Sequence, residues 1–339
     1  MSGHIAPSVE WRRAVEPYVG PDARRASFQL VTTLGLLALA VGTSHVVLQS
    51  SILLALVVVP ITAGLLVRTF ILMHDCAHSS FYGSRTANDI VGFITGALTF
   101  TPFAQWRRDH ALHHASSGDL DRRGHGDMPT LTVREYQAKS RKARLGYRLI
   151  RHPLALLIGG PFHLVIGQRF RSKGTATGDK QIASVRATNV AILVVLALLT
   201  LTLGWKTLVI GYLLPYYVAA MVGVWLFYVQ HQFEDAYWAP HGEWDYVEAA
   251  LRGSSHLKLP RILAWFTGDI GLHHVHHVAP KIPNHRLREC HDGNPLFHQS
   301  PTITLRSGMR AMHLALWDED RRRLVSFREA ALTAPRTHA

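Results

Sequence analysis

Two apolar stretches, residues 28–48 and 52–73, follow one another with Gln49, Ser50 and Ser51 between them. Each reaches the roughly 20 residues that a helix needs to cross the hydrocarbon core of a bilayer. In that solvent the backbone must satisfy its own hydrogen bonds, which leaves helices or closed barrels. Unbroken runs of this length are helices. A second pair, 188–203 and 208–229, is divided by Gly204, Trp205, Lys206 and Thr207. Both pairs read as hairpins that return the chain to the side it left. The expected fold class is an all-α integral membrane protein with four transmembrane helices in two hairpins.

Charge follows the same division. The chain carries 36 lysines and arginines against 23 acidic residues, and of the basic ones only Lys206 falls in either hairpin turn. The positive-inside bias then places the turns outside and the rest of the polar chain in the cytoplasm. A formal charge of +13 could suggest nucleic acid, but the basic residues accompany no nucleic-acid motif and crowd beside apolar spans. Anionic lipid headgroups account for them. Only 17% of residues are charged, below the roughly 25% of soluble domains. Arg12, Arg13, Arg24 and Arg25 precede the first run without a small-residue cleavage site, so a span is expected there rather than a signal peptide. Cys76 and Cys290 are too few for a disulfide framework.

Two weaker runs test this topology. If 90–104 crossed the membrane, His78 and His110 would lie on opposite sides. If 154–167 crossed, Arg169, Arg171, Lys173 and Lys180 would be exported. Both are expected to dip into the membrane and return, leaving 116–151 and 171–186 as cytoplasmic connections. From Thr304 onward Leu305, Met309, Met312 and Leu316 recur at helical spacing, which predicts an amphipathic helix. The chain reads as one domain, 1–339. It has a cytoplasmic N-terminal segment (1–27), a transmembrane core with a histidine-rich cap (28–299) and a cytoplasmic amphipathic tail (300–339).

Histidines supply the chemistry. His74 and His78 stand four residues apart; His110, His113 and His114 share the spacing His-x-x-His-His with His273, His276 and His277. On helices these spacings put each cluster on one face. Eight such residues are too many for one tetrahedral ion, and two metals would use nearly all of them. His231, at the end of the fourth apolar run, is delivered to the same face and makes a ninth ligand. Solvated basic patches use Lys or Arg, so a merely structural role is a poor account of the clusters. Imidazole suits iron, copper, zinc or nickel. Redox-inert zinc would need an electrophile at the membrane face, whereas a pair of irons can activate dioxygen beside an apolar channel. Copper stays open on the residues alone.

Carboxylates flank these histidines. Asp75 lies inside the first cluster, and Asp109 and Asp269 sit four residues before His113 and His273. Each is a candidate to accept the outer imidazole N–H and fix the ligand's tautomer; His274 is a further candidate to support the metal ligands. The competing reading pairs Asp109 with Arg107 or Arg108, and Asp269 with Arg261. His256, His285 and His291 lack the repeat spacing and are assigned to the surroundings or the surface. His45 is given no functional role.

The segments HDCAHSSF from His74, WRRDHALHH from Trp106, VQHQFEDAYW from Val229, WFTGDIGLHHVHH from Trp265 and IPNHRLRECH from Ile282 resemble the membrane fatty acid desaturases, in particular their bacterial acyl-lipid branch. The His-x3-His spacing of the first cluster is similar to that branch. The resemblance implies four transmembrane helices under a cytoplasmic cap holding two irons, and O2- and electron-dependent removal of two hydrogens from a lipid-linked acyl chain. It implies His74, His78, His110, His113, His114, His273, His276 and His277 as ligands, with His231 supplementary, and no catalytic side chain beyond them. The chain shows no fused cytochrome b5 segment and no dinucleotide fingerprint, so a separate donor such as a ferredoxin or flavodoxin with its reductase is expected. The expected location is the bacterial inner membrane with the site facing the cytoplasm. Related hydroxylases, ketolases and alkane oxygenases use the same metals and are the alternative; a haem carrier or metal transporter fits less well, because the histidines cluster at span ends.

Overall fold

The computed structural model describes residues 10–124, 128–170 and 178–332. A short helix, α1 (Glu10–Val15), precedes the first long one, α2 (Ala23–Leu48). Asp22 caps α2, its carboxylate accepting from the backbone N–H groups of Arg24 and Arg25 at 3.0 and 3.1 Å. Those donors have no partner inside the helix. At the other end Ser51 caps α3 (Ile52–Ala77) by accepting from the Leu54 N–H. The three-residue interruption therefore serves as both turn and cap, and α2 and α3 pack along each other as the first hairpin.

The run 90–104 proves to be parts of two helices, α4 (Arg85–Leu98) and α5 (Phe103–Ser116). Thr99–Pro102 turns sharply between them, with Phe100 at φ +52°. Gly96 permits the turn: a Cβ there would lie 2.6 Å from the Thr101 carbonyl oxygen. The reversal returns the chain to the side where α3 ended. Beyond α5 come β1 (Leu131–Thr132), α6 (Val133–Ala138), closed by a Thr132–Glu135 capping box, and α7 (Arg141–Ile150). A π-helical turn, Ala155–Gly159, leads into α8 (Gly160–Phe170), bent 68° from α7.

α9 (Asp179–Lys206) starts nine residues before the expected 188, so the later part of the 171–186 connection is helix, while 171–177 fall outside the described residues. It runs through a π-helical stretch, Thr207–Leu213, into α10 (Leu214–His231). As one straight rod, the 53 residues Asp179–His231 would measure ~80 Å, far beyond the ~30 Å hydrocarbon core. Gly204, at φ +80° and ψ 159°, breaks the run. Ala23–Leu48, Ile52–Ala77 and Asp179–His231 are each long and apolar enough to cross a membrane. Their outer sides expose Phe28, Val31, Leu53, Leu193 and Leu201. Water would penalise so continuous an apolar surface; lipid does not.

A cap covers the end of the bundle where α3, α5 and α10 meet. It contains α11 (Tyr246–Arg252), β2 (His256–Lys258), α12 (Arg261–Phe266), α13 (His273–Val278) and α14 (Asn284–Gly293). Next come β3 (Thr302–Thr304), α15 (Leu305–Ala311), β4 (Leu314–Asp318), β5 (Arg323–Ser326) and α16 (Phe327–Leu332). The tail thus departs from the expected amphipathic helix. α15 stops at Ala311, and β4 and β5 form an antiparallel hairpin turning at Arg322 (φ +50°), with β1 parallel to β4. A second small sheet pairs β2 with β3. Among the described residues the mainly helical fold therefore includes five short strands.

Arg151 ties the cap to α10. It is 2% exposed and donates to the carbonyls of Pro129 and Leu314, the Tyr228 hydroxyl and the Gln232 Oε1 at 2.8–3.1 Å. A planar guanidinium suits such a junction because its donors fan out in fixed directions.

Candidate metal centre

Four elements deliver imidazoles to one place. His74 lies in the last turn of α3 and His78 caps it; His110, His113 and His114 share a face of α5; His231 ends α10; His273 begins α13. The nine sequence-selected histidines form two groups, His74–His78–His110–His114–His276 and His113–His231–His273–His277. Within each group the possible ligand atoms lie within 4.8 Å of one another. Each His-x-x-His-His cluster is divided between the two. On α5 His113 serves one group while His110 and His114 serve the other; on α13 His276 parts from His273 and His277. Residues three apart differ by about 60° around a helix and residues four apart by about 40° the other way, so one turn can address two neighbouring sites.

The Nε2 atoms are arranged as donors to a cation. His113, His231, His273 and His277 form a chain of Nε2–Nε2 separations of 3.1, 3.0 and 3.1 Å. His114 Nε2 stands 3.1 Å from those of both His110 and His276. A neutral ring nitrogen has either one proton or one lone pair, so His231, His273 and His114 cannot satisfy two such neighbours with ordinary hydrogen bonds. Metal–nitrogen bonds of about 2.1 Å at right angles put adjacent nitrogens about 3.0 Å apart. His78 Nε2 is buried with no protein partner. Burial first, then neighbouring imidazoles, pushes His78, His110, His114, His273, His276 and His277 well below the ordinary histidine pKa. Their lone pairs are free at neutral pH. The residues fit metal ions.

Surrounding groups orient the rings. His231 Nδ1 lies 3.1 Å from the Gly253 carbonyl and donates to it, which leaves Nε2 as the lone-pair nitrogen. Asp75 Oδ1 is 3.4 Å from His74 Nδ1, and its other oxygen accepts from the backbone N–H and the side-chain amide of Asn284 at 2.8 and 2.7 Å. The Asp109 carboxylate accepts from Gln105 Nε2 at 3.1 Å, one turn before His113 on α5. Trp106 stacks on His110 at 4.3 Å between centroids, and the Phe227 ring lies 5.1 Å from that of His113. These rings wall the site against water.

Two sequence expectations are corrected. Asp269 does not support His273: it sits in the turn between α12 and α13 at φ +56°, and its carboxylate pairs with Arg288 rather than Arg261. The four-residue spacing implied a helix, but consecutive left-handed residues, Gly268 and Asp269, interrupt it. His273 Nδ1 is left buried without a partner. His274 faces away from the two groups, its Nε2 being 3.1 Å from His291 Nδ1 in a separate cluster with His256. His45 meets Thr207 Oγ1 at 3.0 Å, remote in the chain from the clusters. Asn284 and the Gly253 carbonyl were not singled out by sequence. Asn284 could have been noticed inside the quoted IPNHRLRECH segment; a backbone carbonyl leaves no side-chain signal.

The family profile described as "Fatty acid desaturase" matches residues 50–302. A "Fatty acid desaturase" of Bacillus subtilis is 42% identical over 321 residues, covering 93% of this chain and 90% of that protein. An "sn-1 oleoyl-lipid 12-desaturase" of Synechocystis sp. is 30% identical over 232 residues, 68% of this chain and 65% of that one. From the same organism, an "sn-1 acyl-lipid omega-3 desaturase (ferredoxin)" is 27% identical over 235 residues, with coverages of 65% and 62%.

Proposed function

The chain belongs to the fatty acid desaturase family and is an oxidoreductase acting on fatty acyl chains, and from that premise we propose that it desaturates a lipid-linked acyl chain at a non-haem di-iron centre with O2 as co-substrate. His74, His78, His110, His114 and His276 hold one iron and His113, His231, His273 and His277 the other. Iron, when bound, supplies the redox chemistry that activates O2. Two hydrogens leave adjacent methylene carbons and, with two electrons and two protons, reduce O2 to two waters. The chain's own residues bind and orient. Gly253 fixes the His231 tautomer, Asp75 and Asn284 steady His74, and Trp106 and Phe227 keep the reacting region dry.

The observation that carries this reading is the pairing of two imidazole groups, with Nε2 atoms at coordination spacing, at the ends of apolar helices. Four membrane crossings, as two hairpins turning at 49–51 and near Gly204, keep every ligand on one side. The basic excess on that side makes it the cytoplasmic face of a bacterial inner membrane. The "oleoyl-lipid" and "ferredoxin" in the relatives' names support a lipid-linked substrate and an external one-electron donor, a ferredoxin or flavodoxin.

Expression in a desaturase-deficient bacterial host under 18O2 tests the whole. New double bonds, located by mass spectrometry in membrane-lipid acyl chains that carry no 18O, are expected. An 18O-labelled hydroxy or keto product would instead identify an oxygenase and overturn desaturation. New double bonds confined to acyl thioesters would overturn the lipid-linked substrate.

A further inference from the structure

A cavity of about 560 Å³ opens between α2, α3, α12 and the start of α14, lined by Arg24, Arg25, Arg68 and His285 with Phe28 and Trp265 at its apolar side. Its charge is unbalanced. Arg68 is 5% exposed; its Nε donates to Thr33 Oγ1 at 3.2 Å, its Nη1 donates to the Trp265 carbonyl, and its guanidinium lies over the Trp265 ring. Among the described residues it has no carboxylate partner. Neither does the Arg24 guanidinium. Arg25 shares Asp22, at 3.7 Å, with two backbone N–H groups. The carboxylate lining the cavity, Asp269, is taken by Arg288. Both ring nitrogens of His285 are buried without a partner. Asp269 and Asp75 act on Arg68 only from beyond ion-pair contact; a buried cation without a paired carboxylate is costly, and this cavity holds one beside two further guanidinium groups.

The surroundings say which anion compensates it. One turn into α2 from the arginines, Phe28 and then Val31 present 71% and 70% of their surface outward. On α12, Ile262 and Trp265 are 71% and 41% exposed. A belt of outward apolar side chains thus begins where the positive charge ends, which is how a protein surface meets the headgroup level of a bilayer. A soluble anion would use the charge and leave the belt unused. We propose that this cavity binds the phosphate of an anionic glycerophospholipid, with the glycerol against Trp265 and the acyl chains along Phe28 and Val31. None of the nine histidines lines the cavity, although Asn284, which bonds Asp75, stands at its edge.

Native mass spectrometry of the full-length, iron-loaded protein in detergent, titrated with phosphatidylglycerol, tests this. Arg24→Gln/Arg25→Gln should weaken phosphatidylglycerol binding about 30-fold, from about 1 kcal/mol per basic residue and tenfold per 1.4 kcal/mol. Iron content, unchanged from wild type, reports that the double variant is folded. Arg24→Lys/Arg25→Lys should recover most of the affinity. A diglycosyl diacylglycerol, which has the same tails and no phosphate, should bind wild type no better than it binds the glutamine variant. Unchanged phosphatidylglycerol affinity in the glutamine variant, or equal binding of the glycolipid, would overturn the proposal. Displacement of phosphatidylglycerol by millimolar inorganic phosphate would make this a soluble-anion site and overturn the lipid assignment.

Discussion

Asn284 offers the sharpest quantitative test of how the histidines are held. It is 2% exposed and Asp75 3% exposed, so the bond between them is shielded from bulk water. Truncation to alanine removes the side-chain amide donor, 2.7 Å from the Asp75 carboxylate, but keeps the backbone donor at 2.8 Å. A hydrogen bond to a charged group contributes about 1.5–3 kcal/mol, which corresponds to roughly 10–150-fold in an equilibrium constant. Loss of a partner behind a metal-binding residue typically lowers metal affinity 10–100-fold, and the two ranges overlap. Asn284→Ala should therefore release iron to a chelator at a free-chelator activity about ten- to a hundredfold lower than wild type, read as iron per chain at equilibrium. Gln29→Ala is the control. It deletes the contacts at 2.9 and 3.2 Å between the Gln29 and Asn284 amides while leaving both bonds to Asp75. An unshifted midpoint for Asn284→Ala, or an equal shift for Gln29→Ala, would refute the role given to Asp75.

Three further outcomes are expected. His231→Ala leaves His113, His273 and His277 in the four-histidine group, so iron should be lost from that group and desaturation abolished; full iron content by elemental analysis would remove His231 from the ligands. Arg151→Leu removes its four buried hydrogen bonds, leaving the Pro129 and Leu314 carbonyls to the Tyr147 and Tyr228 hydroxyls, and should destabilise the fold by about 1.5–3 kcal/mol; an unchanged thermal midpoint in detergent would contradict the tie between cap and α10. For metal-free protein, His110, His114 and His276 have folded pKa values pushed below the ordinary 6.5, so the unfolded chain binds the extra protons as pH falls. The apo thermal midpoint should be highest above pH 6.5 and decline below it, by up to about 1.4 kcal/mol per group per pH unit; a midpoint that rises on acidification would reverse the sign.

The histidines were legible because helical periodicity acts over three or four residues, and His74, His78, His110, His113 and His114 lie on helices or at their caps. His231 was legible because an apolar run ends on it. The same rule failed at Asp269, where Gly268 and Asp269 adopt left-handed geometry and a spacing of four no longer means one face. It failed again in the tail. Leu305, Met309, Met312 and Leu316 satisfy a helical period, yet Leu316 belongs to β4, whose neighbours on both sides are buried against β1 and β5. That burial comes from residues 131–132 and 323–326, which no local window contains. Arg151 was opaque for a related reason: its partners lie at 129, 228, 232 and 314, and an arginine among so many basic residues carries no sign that it is buried.

Because α13 contributes His276 to one group and His273 and His277 to the other, the order of synthesis governs when metal can be captured. α2, α3, α5, α9 and α10 leave the ribosome before residue 273. Until then each group is an open, incomplete set of imidazoles at the membrane surface, and neither can close first. A single short helix, α13, completes both at once. The Arg151 bond to the Leu314 carbonyl comes later still. A chain truncated before α13 would therefore lose part of both groups rather than one of them.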